Sequence, residues 1–216
     1  MEGRFAAPDG ARYYYSHRLA RIILRAMSDV LGSNGLNAVL NLARTYRVVA
    51  SRALDHQGQR MDFASLGALM QAVEEMYGPR GGQRLALRIG RVCFQHAQRE
   101  FGPLAGLSDL ARRVLPLPLK LKVGVTLFAE TLNQCSDQIV HVEEMEDRFL
   151  CAFERCPLCW QRQTEEPCCH LAVGLWQEAL YWLSEGHSFE VQETACHAAG
   201  DAACVIMFGK QPVDID

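Results

Sequence analysis

The stretch between residues 156 and 204 constrains this chain more than any other part of it. A chain of 216 residues can bury roughly 70% of its unfolded surface, so it does not need disulfides for stability. We therefore interpret its cysteines as free thiols or metal ligands in a reducing compartment. Six of the nine cysteines fall inside this stretch, at Cys156, Cys159, Cys168, Cys169, Cys196 and Cys204. Their grouping predicts a structural zinc site in the core.

The spacing within this cysteine-rich stretch suits zinc, which takes four ligands in a tetrahedron from thiolate, imidazole or carboxylate groups. The pair Cys156-x-x-Cys159 can direct two sulfurs at one ion. The pair Cys168–Cys169 begins a predicted helix, and a helix N-terminus favours the thiolate form that binds metal. A helix start and a loop can therefore supply ligands to the same ion.

The second half of the stretch adds three more donors. Cys196 and Cys204 are separated by eight positions, which suits two points that face each other across a hairpin connection, and Glu193 lies beside them. These donors are more than one ion uses, so Glu193, Cys156, Cys159 and Cys168 stay open as alternatives for completing the site. The remaining cysteines stand alone on apolar elements, which is typical of packing rather than of metal binding: Cys93, Cys135 and Cys151.

Hydrophobic periodicity predicts an α+β fold, in which a helical N-terminal half packs on a mostly antiparallel sheet made of two β-hairpins separated by a helix. We expect a flexible N-terminal arm over residues 1–14 and a single domain over residues 15–216. Glycines 78, 81 and 82 are expected to form a loop, and Gly90 to permit close helix packing. Helices are predicted at residues 16–31, from 36 onward, and at 63–77, 82–100, 108–114, 119–133 and 170–185. Strands are predicted at 138–145, 148–155, 188–194 and 202–209.

Composition excludes several classes of function. The net charge of −3 gives no electrostatic reason to expect a nucleic-acid partner. No run approaches the roughly 18–20 apolar residues of a membrane span, and the start does not resemble a signal peptide, so we expect a cytoplasmic protein. No catalytic residues are predicted, because neither a Ser/His/Asp order nor a paired-carboxylate pattern stands out. Nucleotide and flavin motifs are not found either.

Three segments carry a resemblance to a known family. They are the Cys-Pro-Leu-Cys run at residues 156–159, the Pro-Cys-Cys-His-Leu-Ala-Val-Gly run at 167–174, and the pattern E-x-x-C-x-x-x-G-x-x-x-C from Glu193 to Cys204. Together they resemble the 4-vinyl-reductase domain family over about residues 12–210. The resemblance implies the fold of haem-nitric-oxide-binding domains and vesicle-tethering subunits, an apolar pocket and a homodimer. Related zinc-binding sensor domains imply Cys169, Glu193, Cys196 and Cys204 as ligands.

The resemblance leads to two functional hypotheses. In the first, the domain holds a hydrophobic small molecule in a sensory or carrier role, with candidate lining residues Phe94, Phe128, Trp176 and Phe189. In the second, it handles a tetrapyrrole in bacteriochlorophyll biosynthesis, as a 4-vinyl reductase or its accessory subunit, and His96 or His141 could ligate the central magnesium. We favour a binding module over an oxidoreductase, because the sequence contains no recognisable hydride or electron source.

Overall fold

The described part of the chain combines four helices with two antiparallel sheets. A computed structural model describes residues 12–45, 61–101 and 114–213. Within these ranges no helix has both the length and the apolar character needed to cross a membrane. The elements, in chain order, are β1 (Tyr14–Tyr15), α1 (His17–Leu42), β2 (Met61–Asp62), α2 (Phe63–Phe101), α3 (Leu117–Cys135), β3 (Val140–Glu144), β4 (Arg148–Phe153), α4 (His170–Leu183), β5 (Val191–Ala195) and β6 (Cys204–Gly209).

The main sheet has four antiparallel strands in the order β3-β4-β6-β5. Strands β3 and β4 form one hairpin, and β5 and β6 form the other. Pairing of β4 with β6 joins the two hairpins into one sheet, so the predicted α+β arrangement is confirmed. Alternate residues of β4 and β6 are buried, which gives the sheet one core face. On that face Phe153 lies opposite Cys204. The chain therefore leaves β4 beside Cys204 and enters the cysteine-rich loop there.

Glycine sets two kinks in the long helices. Gly32 in α1 and Gly78 in α2 have φ values of 72° and 73°, and each interrupts the helical conformation at one residue. The prediction that glycines 78, 81 and 82 form a loop was wrong, because helix resumes at Pro79. Proline suits a first helical position, where its fixed φ is appropriate and no N–H is required. In α1, Gly32 alone leaves the helical conformation, whereas the sequence predicted a break from residue 32 to residue 35.

The fold begins earlier than the predicted N-terminal arm allows. Strand β1 pairs with β2, and the Tyr13 ring lies 5.3 Å from the ring of Trp160 in an edge-on contact. Aromatic pairs of this kind add to stability beyond the area they bury. Tyr13 and Tyr14 therefore belong to the folded domain. Residues 1–11 lie outside the described residues, as does the predicted helix at 108–114 apart from Val114.

Helices α2 and α4 approach closely through two glycines. A Cβ at Gly90 would lie 2.8 Å from the backbone nitrogen of Leu175 and would collide with the carbonyl oxygen of Leu171. A Cβ at Gly174 would collide with the carbonyl oxygen of Leu87 in the same way. The expectation that Gly90 permits close packing is confirmed. This contact positions the start of α4, where Cys169 lies, on the surface of α2.

Replacing Gly90 by Ala should destabilise the protein by about 3 kcal/mol, because the new methyl group meets backbone that cannot move aside. Urea denaturation followed by circular dichroism measures the change. The matched control is Gly81→Ala in the same helix, where the nearest atom to a Cβ is 3.5 Å away. That control should be neutral or gain up to about 1 kcal/mol. Equal effects of the two substitutions would contradict the close packing of α2 on α4.

Candidate metal centre

Three segments bring six thiols together at one end of the main sheet. The loop after β4 provides the first pair, the start of α4 provides the second, and the β5–β6 hairpin provides the third. All six side chains are almost completely buried. Free thiols of this number rarely gather for packing alone, and their pairing by segment matches the sequence prediction. They are Cys156 and Cys159, Cys168 and Cys169, and Cys196 and Cys204.

Four of these thiols are spaced as ligands of a single ion. Sγ–Sγ distances are 3.4 Å between Cys156 and Cys169, 3.3 Å between Cys159 and Cys204, and 3.9 Å between Cys169 and Cys204. A tetrahedral zinc with Zn–S bonds near 2.3 Å places its sulfurs about 3.8 Å apart. All four sulfurs lie within 4.8 Å of one another. We call Cys156, Cys159, Cys169 and Cys204 the four-cysteine group.

A second set of four donors uses the carboxylate predicted from the sequence. Cys169, Glu193, Cys196 and Cys204 also offer donor atoms that all lie within 4.8 Å of one another. We call this set the glutamate group. The Cys196 sulfur lies 3.9 Å from the sulfurs of both Cys169 and Cys204. The structure thus brings together the four ligands that the resemblance implied and the Cys156-x-x-Cys159 pair, in two overlapping sets.

Glu193 occupies an unusual position for an acidic residue. It is the one buried residue of β5, and only 7% of its surface is exposed. Its Oε2 accepts a hydrogen bond of 2.6 Å from the backbone N–H of Cys169, while its buried Oε1 has no partner in the described part of the chain. Burial, and next the nearby Cys196, raise the pKa of Glu193 to about 9. A bound cation would compensate this desolvated carboxyl group.

The hairpin that carries Cys196 and Cys204 is fixed by hydrogen bonds within itself. Asp201 Oδ2 accepts a hydrogen bond of 2.7 Å from the Cys196 N–H, and the N–H of His197 lies 3.3 Å from the Cys204 sulfur. Gly200 provides the left-handed conformation that closes the turn, with φ of 103°. Hydrogen bonds from the surrounding thiols, Cys159 first among them, lower the pKa of Cys196.

The loop between β4 and α4 is anchored on α2. Arg162 is buried, and it donates hydrogen bonds to Glu74 Oε2 at 2.5 Å and to the Leu158 carbonyl at 3.3 Å. A Cβ at Gly67 of α2 would collide with the carbonyl oxygen of Trp160, so the loop backbone lies directly on the helix. These contacts fix the loop that carries Cys156 and Cys159 relative to the start of α4.

The other thiols and histidines lie outside both donor groups. Cys168 contacts the Cys196 sulfur at 3.9 Å but belongs to neither group, and His170 belongs to neither as well. The two ring nitrogens of His197 lie 3.1 Å from the Asp201 carbonyl and 2.8 Å from the Glu154 carbonyl. Backbone contacts therefore engage the His197 ring.

The thiols that the sequence assigned to packing lie apart from the cluster. Burial raises the pKa of Cys93 and of Cys151, so both are neutral thiols. Both belong to the hydrophobic core. Neither appears among the donor groups of the described residues, and Cys135, at the end of α3, does not either. These positions agree with their predicted packing role.

The predicted ligand-lining aromatics form part of the interior between the helices and the sheet. Ring centroids lie 5.8 Å apart for Phe94 and Phe128, and 4.7 Å apart for Phe128 and Trp176, with edge-on geometry. Trp176 also stacks on Phe208 at 5.2 Å. Sequence reasoning missed Phe208, although the alternation of buried residues in β6 could have identified it. Phe189, the fourth predicted residue, is buried just before β5.

A small cavity lies between α1 and α2. Its volume is about 80 Å³, far below the roughly 300 Å³ of the smallest drug-sized pockets. The Nε2 atom of His96 lies 2.7 Å from Asp29 Oδ2, and the exposed His141 bonds to Glu154. Both histidines therefore have carboxylate partners in the structure. Most of the residues that line the cavity are charged: Arg21, Ile22, Arg25, His96, Arg99 and Glu100.

Comparison with known proteins gives a fold but no family. No protein-family model and no curated protein matches the sequence. Solved H-NOX structures do match. A mutant of an Fe(II) unliganded H-NOX protein from K. algicida has a TM-score of 0.55 at 12% identity, covering 90% of this chain and 95% of that chain. An H-NOX protein from S. oneidensis in the Fe(II)NO ligation state has a TM-score of 0.54 at 12% identity, with 87% and 97% covered.

A third solved structure is an oxygen-binding H-NOX domain related to soluble guanylate cyclases, with a TM-score of 0.50, 12% identity, and 93% of this chain and 98% of that chain covered. At such low identity these likenesses show a shared fold and nothing finer. The expected fold of haem-nitric-oxide-binding domains is therefore confirmed. Membership of the 4-vinyl-reductase domain family stays a prediction.

Neither of two places in the described residues has room for a haem. The cavity between α1 and α2 is too small for one, and its histidine is paired with Asp29. In the interior, the rings of Phe128 and Trp176 are in direct contact, so no space for a macrocycle lies between them. The described donors instead suit a metal ion held by thiolates.

Replacing Glu74 by Ala should destabilise the protein by about 3 kcal/mol, because the buried guanidinium of Arg162 would lose its carboxylate partner. Thermal and urea denaturation measure the loss. The control is Glu75→Ala at the next position, since Glu75 is exposed and contacts Gln71. The control should change the free energy of unfolding by no more than about 0.5 kcal/mol. A Glu74→Ala protein as stable as this control would show that the loop is not anchored through Arg162.

Proposed function

We propose that this chain is a zinc-containing domain that binds a hydrophobic small molecule and acts as a sensor or carrier. The observation that carries the proposal is the buried convergence of thiols and one carboxylate at the spacing of zinc ligands. In this proposal the glutamate group holds the zinc. Its members are Cys169, Glu193, Cys196 and Cys204.

The chemistry of the donors favours zinc and a structural role. Thiolates are soft ligands that select zinc over hard cations such as magnesium and calcium. Four protein donors complete a tetrahedron and leave no open position for a substrate, which is the arrangement of structural zinc sites. The ion would join the start of α4 to the β5–β6 hairpin, two segments that are distant in sequence. Its binding free energy would then contribute to folding.

Replacing Cys196 by Ser should lower the zinc content and cost more than about 4 kcal/mol of stability, as is typical when a structural metal is lost. Elemental analysis and thermal denaturation of protein purified without added zinc measure both effects. The control is Cys135→Ser, at the partly exposed end of α3, which should keep its zinc and most of its stability. A metal-free but well-folded wild-type protein would contradict the zinc proposal.

The unpartnered indole N–H of Trp176 supports the ligand-binding half of the proposal. Trp176 is fully buried, and its Nε1 has no hydrogen-bond partner in the described part of the chain. An unsatisfied buried donor costs about 1–3 kcal/mol, so an acceptor atom of a bound molecule would be stabilised there. The rings of Phe94 and Phe128 now pack on each other, and Phe128 also packs on Trp176, so binding would require them to move apart, and they would then line the ligand site. The expected ligand is therefore an aromatic or apolar molecule with one hydrogen-bond acceptor.

Replacing Trp176 by Phe should weaken binding of such a molecule by about three- to tenfold, the equivalent of one lost hydrogen bond. Titration calorimetry with 1-naphthol as the probe measures the change. Trp160→Phe is the control, because Trp160 packs against Tyr13 and Phe63 instead. It should leave the affinity unchanged. Absence of naphthol binding to the wild-type protein, or equal losses in both variants, would count against Trp176 as a ligand contact.

The alternative is a tetrapyrrole-handling protein of bacteriochlorophyll biosynthesis, and absorbance spectroscopy separates the two. A co-purified pigment with a Soret-type band would favour the alternative. A colourless protein that binds small aromatics would favour the first proposal. The homodimer implied by the resemblance stays a prediction that sedimentation can test.

A further inference from the structure

The four-cysteine group and the glutamate group have two donors in common. Cys169 and Cys204 belong to both, and their sulfurs lie 3.9 Å apart. The other two donors of each group belong to that group alone. Since a thiolate sulfur has enough lone pairs to bind two ions at once, a shared pair of thiolates can bridge two metals.

We propose that this centre holds two zinc ions bridged by the thiolates of Cys169 and Cys204. Cys156 and Cys159 complete the tetrahedron of one ion, and Glu193 and Cys196 complete that of the other. The inference rests on the zinc site proposed above and extends it by a second ion. It assigns a role to the Cys156-x-x-Cys159 pair, which a single ion in the glutamate group would leave unused.

A single ion in either group leaves buried donors without a cation. If only the glutamate group is filled, the sulfurs of Cys156 and Cys159 still lie 3.4 Å and 3.3 Å from the two shared thiolates. If only the four-cysteine group is filled, Glu193 stays a buried carboxyl group whose Oε1 has no partner among the described residues. Two ions satisfy all six donors, which matches the rule that buried polar groups are paired.

The net charge of the centre also permits two ions. Five thiolates and one carboxylate carry six negative charges, so two zinc ions leave a net charge of −2. One zinc with four thiolates has the same net charge. The second ion therefore adds no uncompensated charge to the core, and it neutralises donors that would otherwise repel one another.

The test is the zinc content of the full chain, purified without added zinc, then equilibrated with zinc and desalted. Plasma mass spectrometry should find two ions per chain. One ion per chain would overturn the two-ion proposal while leaving the zinc-stabilised domain intact. A metal-free folded chain would overturn both. The three outcomes distinguish failure of this inference from failure of the proposed function.

Single substitutions should then separate the two ions. Cys159→Ser should reduce the content from two ions to one while Cys168→Ser, the control next to the shared Cys169, should keep two. Circular dichroism confirms that each variant is folded. A Cys159→Ser protein that still binds two ions would overturn the assignment of the second site.

A measurement on the unmodified sequence protects the test against variants that fail to fold. The protein loaded with ¹¹³Cd in place of zinc should give two nuclear magnetic resonance signals of equal intensity, because one ion would have four sulfur ligands and the other three sulfurs and a carboxylate. A single signal would overturn the two-ion proposal.

Discussion

The burial of seven potential metal donors at the end of the main sheet is the main constraint on this structure. Six thiols and the carboxyl group of Glu193 lie in the core with almost no access to water. Ionised groups in such an environment are stable only when they are paired or coordinate a metal. Zinc held by Cys169, Cys196, Cys204 and Glu193 would allow these groups to ionise, because each negative charge would be paired with the metal. The fold of the C-terminal half would then depend on its metal, as in other small metal-stabilised domains.

The rest of the molecule places these donors where an ion needs them. The glycine-mediated contact between α2 and α4 fixes the start of α4, and Arg162 fixes the preceding loop on α2. Pairing of β4 with β6 brings Phe153 opposite Cys204, so the loop begins beside the hairpin. Helix packing, an ion pair and the strand register therefore position donors that are spread over nearly 50 residues of the sequence.

The clustering of the candidate donors could be predicted from the sequence, because they combine an uncommon residue type with a restrictive spacing. The antiparallel sheet and the α+β class also followed from periodicity. Other features depend on tertiary geometry. The inward position of Glu193 is set by the register of β5 against β6, and the contact between Cys169 and Cys204 exists only once α4 meets the hairpin. The first turn of the helix after Gly78 was predicted as loop, because Pro79 starts a helix as readily as it ends one.

The fold is shared with H-NOX domains, and inside it the rings of Phe128 and Trp176 pack directly against each other. The metal chemistry proposed for this chain rests on its cluster of thiols and Glu193. Zinc K-edge X-ray absorption on the protein as purified tests this claim most directly. Sulfur neighbours at about 2.3 Å from zinc are predicted. An absence of zinc, or a zinc surrounded only by nitrogen and oxygen neighbours at about 2.0 Å, would contradict it.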